Sequence, residues 1–219
     1  MMGKAFILLC MVLFPVSVSA QTGSDYYPLN VNNRWVHTTS VTGDAEPPSK
    51  RIVSVVTGTD RSSGRECFML KSGDPQGTSG YHWLAVNPGG AVVDCALGAA
   101  NGLKLVEWDP PHIILPHNAG RLGAVWYVQF VLHSDDHPDS TIIVTETYTI
   151  ESTSETVVVP AGKFKNCIVV RGELPAVDDR PATVVRRYYA KNVGEVISVR
   201  ESPGGTVKHE LIEYKVYGR

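Results

Sequence analysis

The chain has 219 residues, 43% of them hydrophobic, and its 20 Lys and Arg against 22 Asp and Glu leave a formal net charge of −2. A near-neutral chain without a basic block offers nothing to a phosphate backbone, which excludes nucleic acid as an expected partner. Beyond residue 20 no apolar run approaches the ~18 residues a membrane-spanning helix needs, so no transmembrane segment is expected in the mature chain.

Lys4 precedes an apolar run from Ala5 to Val16, and Val18-Ser19-Ala20 supplies small residues where a signal peptidase inspects the chain. Residues 1–20 read as a secretory signal and residues 21–219 as a single β-rich domain, exported to the periplasm or outside the cell. Bulky Leu9 precedes Cys10 inside the apolar run, which argues against a lipidated cysteine and for a soluble product. The cysteines that remain are Cys67, Cys95 and Cys167, so an oxidising compartment allows one bridge at most. Cys67 with Cys95 is the preferred pair because they are nearer in sequence; the competing reading makes each a small buried hydrophobe.

Residues 21–34 show neither helical nor strand period and read as an ordered lead-in, with Asn32-Asn33 suited to a positive-φ turn. Strands are expected at Trp35–Val41, Arg51–Thr57, Glu66–Lys71, Tyr81–Val86, Ala91–Leu97 and Leu103–Trp108. Asp109-Pro110-Pro111 should end the last of these, leaving His112–Leu115 as a short run boxed in by prolines. Val125–Leu132 and Thr141–Glu151 form a longer pair. Thr156 to Val170 then reads as a hairpin, with three valines, Pro160 presetting φ and Gly162 free to take positive φ. In its second strand Phe164, Asn166, Ile168 and Val170 should share one face and Lys165, Cys167, Val169 and Arg171 the other. Val184–Ala190, a turn at Lys191-Asn192, Gly194–Arg200 and Thr206–Tyr217 complete about thirteen strands with no helix. The fold class is all-β: a single antiparallel meander forming an incomplete or flattened barrel, with a β-sandwich as the alternative.

Three segments carry a resemblance: Tyr26-Tyr27-Pro28-Leu29 through Trp35, Thr156 through Val159-Pro160-Ala161-Gly162-Lys163-Phe164 to Cys167, and Tyr188 through Tyr189-Ala190-Lys191-Asn192-Val193-Gly194 to Val196. Together they resemble the landmarks of poorly characterised exported bacterial proteins grouped near the TapB-like families, except that Asn32 stands where that group usually has Gly. The resemblance implies an all-β incomplete barrel like the lipoprotein carriers of the LolA/LolB type, with no catalytic residues to carry over.

Chemistry is sparse. His133, His137 and Asp139 lie in the densest group of potential ligands and could hold a divalent metal, but the preferred reading is a solvated hairpin loop between two long strands. His112 and His117 flank an apolar run near Asp109 without a matched nucleophile. There is no Gly-x-Ser-x-Gly, His-Glu-x-x-His, phosphate-binding glycine loop or Cys-x-x-Cys, and no cofactor is expected. Trp83, Trp108, Trp126 and Tyr188 are the aromatics proposed to line a cavity, with core packing as the competing role. Arg186-Arg187 beside Lys191 could attract an anion, but neighbouring strand residues point to opposite faces, and a solvated strand end is expected. The leading functional expectation is a non-enzymatic exported protein that binds an apolar small molecule or lipid. An envelope interaction subunit and a metal-assisted hydrolase are the alternatives.

Overall fold

A computed structural model of the chain describes residues 21–42, 50–74, 79–133, 141–177 and 181–217, with the backbone alone at 132, 133 and 141. Among the described residues it forms one four-residue helix, α1 (Gly23–Tyr26), and twelve strands. These are β1 (Arg34–Thr42), β2 (Lys50–Ser62), β3 (Arg65–Gly73), β4 (Ser79–Val86), β5 (Val92–Gly98), β6 (Lys104–Leu115), β7 (Val125–His133), β8 (Thr141–Val159), β9 (Gly162–Leu174), β10 (Thr183–Ala190), β11 (Gly194–Ser202) and β12 (Gly205–Lys215). Alternation sets the faces: along β7, Trp126 and Val128 are buried while Val125, Tyr127 and Val131 are exposed.

Every sequential pair but one is an antiparallel hairpin, and the first strand pairs with the last, from Arg34↔Lys215 to Thr42↔Thr206. The exception is β6 and β7, which end the sheet order although they follow one another in the chain. The result is an all-β, nearly closed barrel, closed through its terminal strands and left unsealed at mid-chain; the sandwich alternative is not realised. Side chains bridge this seam. Trp126 on β7 donates its indole N–H to the Ile113 carbonyl on β6 at 3.0 Å, and His112 on β6 approaches Phe130 on β7 with centroids 6.3 Å apart.

Two expected breaks do not occur, and the second of them merges two expected strands, which lowers the expected thirteen to twelve. β6 runs through Asp109-Pro110-Pro111, because the register passes from Asp94↔His112 to Ala96↔Glu107 and the prolines, which cannot donate to a ladder, leave it as a bulge at the sheet edge. β8 continues through Glu151 into the hairpin and reaches 19 residues. Its turn is Pro160-Ala161 with Gly162 at φ 139, and the Ala161 N–H donates to the Leu211 carbonyl at 3.1 Å, tying the tip to β12. The expected alternation in β9 breaks at Asn166, where φ is 54, so Cys167 joins Ile168 and Val170 in the main core.

The lead-in is more regular than expected. Asp25 accepts the Thr22 backbone N–H at 2.8 Å, and α1 spans one end of the barrel. Gly23 donates to Pro116, Ser24 to Gly90, and Asn192 to Asp25, at 3.0, 2.9 and 2.7 Å, so one turn of helix ties three connections together. The main core includes Tyr26, Trp35, Leu84, Trp126, Ile168, Tyr189 and Leu211. A smaller cluster of Cys67, Trp83, Ala85, Val93, Cys95 and Ala96 packs on the opposite face of β3–β5 and meets the main core at Ile113.

Cys67, Cys95 and Cys167 are buried free thiols, so the expected Cys67–Cys95 bridge is not formed. Cys67 lies on β3 and Cys95 on β5, with β4 between them. The two thiols come within hydrogen-bonding reach of one another, yet no bond joins them. Burial first, and then Cys67 beside it, pushes the Cys95 thiol up to about 12.

Candidate functional site

Inward-facing residues of β1–β4, β6 and β10–β12 surround a lumen cavity of about 290 Å³. At its base Tyr27, Trp35 and Tyr189 form an aromatic floor beside Leu70 and Leu84. Tyr27 stands 6.2 Å from Trp35 and 6.1 Å from Tyr189 by ring centroids. The floor is held by backbone: Trp35 donates its indole N–H to the Val193 carbonyl at 2.5 Å, and Gly194 lies so close that a Cβ there would sit 2.9 Å from the same nitrogen.

A polar belt lies above the floor. Strand register sets Arg187 of β10 opposite Ser198 of β11, Ser198 opposite His209 of β12, and His209 opposite Thr39 of β1. His209 Nδ1 and Thr39 Oγ1 are hydrogen-bonded at 2.9 Å, and His37 Nε2 donates to the Glu195 backbone carbonyl at 3.1 Å. Across the lumen His82 Nδ1 donates to Asp94 at 2.8 Å, while the other oxygen of Asp94 is buried without a hydrogen-bond partner among the described residues. A second concavity of about 420 Å³ shares Arg187, Glu195 and His209 with the first and extends to Arg200, which is exposed.

Arg187 is the central charge. Protein surrounds it, yet about a third of its side chain (34%) faces open space, and its one carboxylate contact among the described residues, Glu195, is 3.9 Å away. Desolvation opposes its charge, but the hydroxyl of Tyr189 and the Glu195 carboxylate outweigh it and hold the guanidinium above its ordinary value. Burial raises the Tyr27 and Tyr189 phenols, with Glu195 adding to both, so the floor stays neutral. His209 is depressed by burial and by the neighbouring His37, Arg200 and Arg187, despite the opposing pull of Glu195. At neutral pH it is therefore an uncharged ligand-facing group. The arrangement can bury an apolar body on the floor and meet a polar head at the belt.

None of the four aromatics singled out from sequence lines the 290 Å³ cavity. Trp83 is buried in the smaller cluster and donates to Asp60 at 3.0 Å, and Trp126 stacks on Tyr148 at the seam. Trp108 stacks on His112 at 4.1 Å, and Tyr188 packs partly buried against the main core. His117 and Asp109 are exposed. His137 and Asp139 lie outside the described residues, and of His133 only its backbone position at the end of β7 is described.

Arg186 and Arg187 do point to opposite faces and are about equally exposed, at 32% and 34% of the side chain: Arg186 is paired on the outside with Glu151 at 3.1 Å and Glu201 at 3.0 Å, whereas Arg187 lines the lumen cavity. His37, His82 and His209 went unnoticed in the sequence. The signal available was a histidine two residues from Trp35, Leu84 and Leu211, on the face that alternation assigns to the core.

No family model matches the chain, and no curated protein matches it in sequence. Among solved structures it is similar to a candidate exported protein with a YmcC-like fold from Bacteroides fragilis, at TM-score 0.47 and 13% identity, covering 87% of this chain and 98% of that one. It is also similar to a candidate lipoprotein from Parabacteroides distasonis, at TM-score 0.44 and 11% identity over 89% of this chain and 100% of that one. A third likeness is to a β-barrel-like protein of a domain of unknown function from Brucella abortus, at TM-score 0.38 and 10% identity over 87% of this chain and 100% of that one.

Proposed function

We propose that the chain is exported after removal of residues 1–20 and acts, without catalysis, as a binding protein whose barrel lumen takes an apolar small molecule or a single-chain lipid. The observation that carries this reading is the lumen cavity of about 290 Å³ over a floor of Tyr27, Trp35 and Tyr189. Its volume is at the lower end of the ~300–1,000 Å³ typical of small-molecule sites, and it combines an apolar wall with a few convergent polar groups, as such sites do. Export rests on the sequence of residues 4–20, where a cation, an apolar run and small residues follow in the order of a cleavable signal. No helix among the described residues is long and apolar enough to cross a membrane.

Native mass spectrometry of protein taken directly from the exporting cell tests the reading. The expected result is a chain beginning at Gln21 that carries a small noncovalent adduct, and loss of that adduct in Ser54→Phe, which places a ring in the cavity. A bare mass in the wild-type protein would contradict ligand binding. A stoichiometric protein partner in the same spectrum would replace this reading with that of an envelope assembly subunit, for which exposed Val125, Tyr127 and Val131 along the β7 edge offer a surface.

A further inference from the structure

Resting on the lumen as a binding site, we infer that its ligand is a single-chain amphiphile with an anionic head, whose chain lies on the aromatic floor and whose head is read by Arg187. The surroundings of Arg187 lead to this assignment. Asp94 accepts from His82 at 2.8 Å and Glu146 from the Tyr148 hydroxyl at 2.6 Å, and neither pairs with Arg187 among the described residues. Glu195 stands 3.9 Å from it, at the limit of an ion pair. Against it stand two arginines, Arg187 in the lumen wall and Arg200 further out on the same face of the sheet.

A guanidinium carries five N–H donors in a fixed fork; the Tyr189 hydroxyl takes one, and Glu195 at 3.9 Å does not provide the bidentate oxyanion that satisfies the fork best. The neighbouring His37 and His209 already use ring nitrogens on Glu195 O and Thr39, and neither brings a further negative charge. An ammonium head would meet two cations at the belt, and an uncharged head would leave the guanidinium's donors to water. The polarity gradient sets the orientation, since the apolar floor lies on the α1 side of the belt and exposed Arg200 on the other. At ~30 Å³ per water-sized unit the first cavity holds on the order of ten non-hydrogen atoms, the size of an eight-carbon acid.

Titration calorimetry of the full exported protein with octanoate, octyl phosphate, octanol and octylamine decides the matter. Octanoate or octyl phosphate should bind at least about tenfold more tightly than octanol, and octylamine more weakly than octanol, as charge-assisted hydrogen bonds require. Arg187→Gln should remove the preference for the anion, so that octanoate binds no better than octanol, with the urea midpoint of the variant showing that it is folded. Arg187→Lys should keep part of it. If octanol binds and neither anion binds better, or if Arg187→Gln leaves the preference intact, anion recognition is overturned and the lumen reading stands. If none of the four binds, both fall together.

Discussion

Gly194 connects backbone geometry to the cavity floor. Its φ of 112 lies in a region open to glycine, and a Cβ there would press on the Trp35 indole at 2.9 Å, the group that donates to Val193. Gly194→Ala should therefore cost about 1–3 kcal/mol, the scale of backbone strain, with further loss from the displaced tryptophan. Gly58→Ala serves as the control, since a Cβ at that position meets nothing within 4 Å. Urea denaturation of the two variants checks this, and equal midpoints would contradict it. Some residue-scale features are legible in sequence for the same kind of reason. Asn32 and Asn192 occupy positive φ, at 73 and 59, in turns where asparagine pays little for that conformation. Arg187 was not legible. Alternation separates it from Arg186, but the side that lines the lumen is decided by partners on β11 and β12, far away in sequence.

At the scale of elements, strands were legible wherever β-branched and aromatic residues alternated, and their ends were not. Proline reads locally as a stop, yet β6 continues past Pro110 and Pro111 because an edge strand loses little by omitting donors. The unsealed seam has no local signature at all, since β6 and β7 are adjacent in the chain and could have paired. What holds them is packing in place of a ladder. Trp126 is 6% exposed, stacks on Tyr148 with centroids 5.5 Å apart, and supplies the indole bond to Ile113 across the gap. Trp126→Ala should cost about 3–5 kcal/mol, the range for removing a buried large aromatic. Trp126→Phe keeps the stack and loses the bond, at about 1 kcal/mol. Hydrogen exchange should show amides of β6 and β7 opening faster in Trp126→Ala while β1 and β12 change less. Uniform acceleration across all strands would show that the seam has no local weakness.

At the scale of the whole molecule, the barrel gathers onto one inner surface ionisable groups that are scattered along the chain, and this gives its stability a pH dependence of definite sign. His112 and His209 both lie below their ordinary value, and burial is the largest cause for each. Asp94 and Glu146 act in the opposite direction on His112, which stacks on Trp108 and faces Phe130. Glu195 opposes the depression of His209, while His37, Arg200 and Arg187 add to it. A histidine depressed by folding takes up its proton more readily in the unfolded chain, so the unfolded state holds more protons below the ordinary value near ~6.5 and stability rises with pH there. The stabilisation is complete above about pH 6.5 and is lost as pH falls through the depressed folded values. Urea midpoints should thus be level from about pH 7 to 8 and decline towards pH 5, with a shallower decline in His112→Phe, which keeps a ring on Trp108 and removes the titration. A midpoint that rises on acidification would mean that the carboxylates facing these rings outweigh burial, reversing the balance of the lumen.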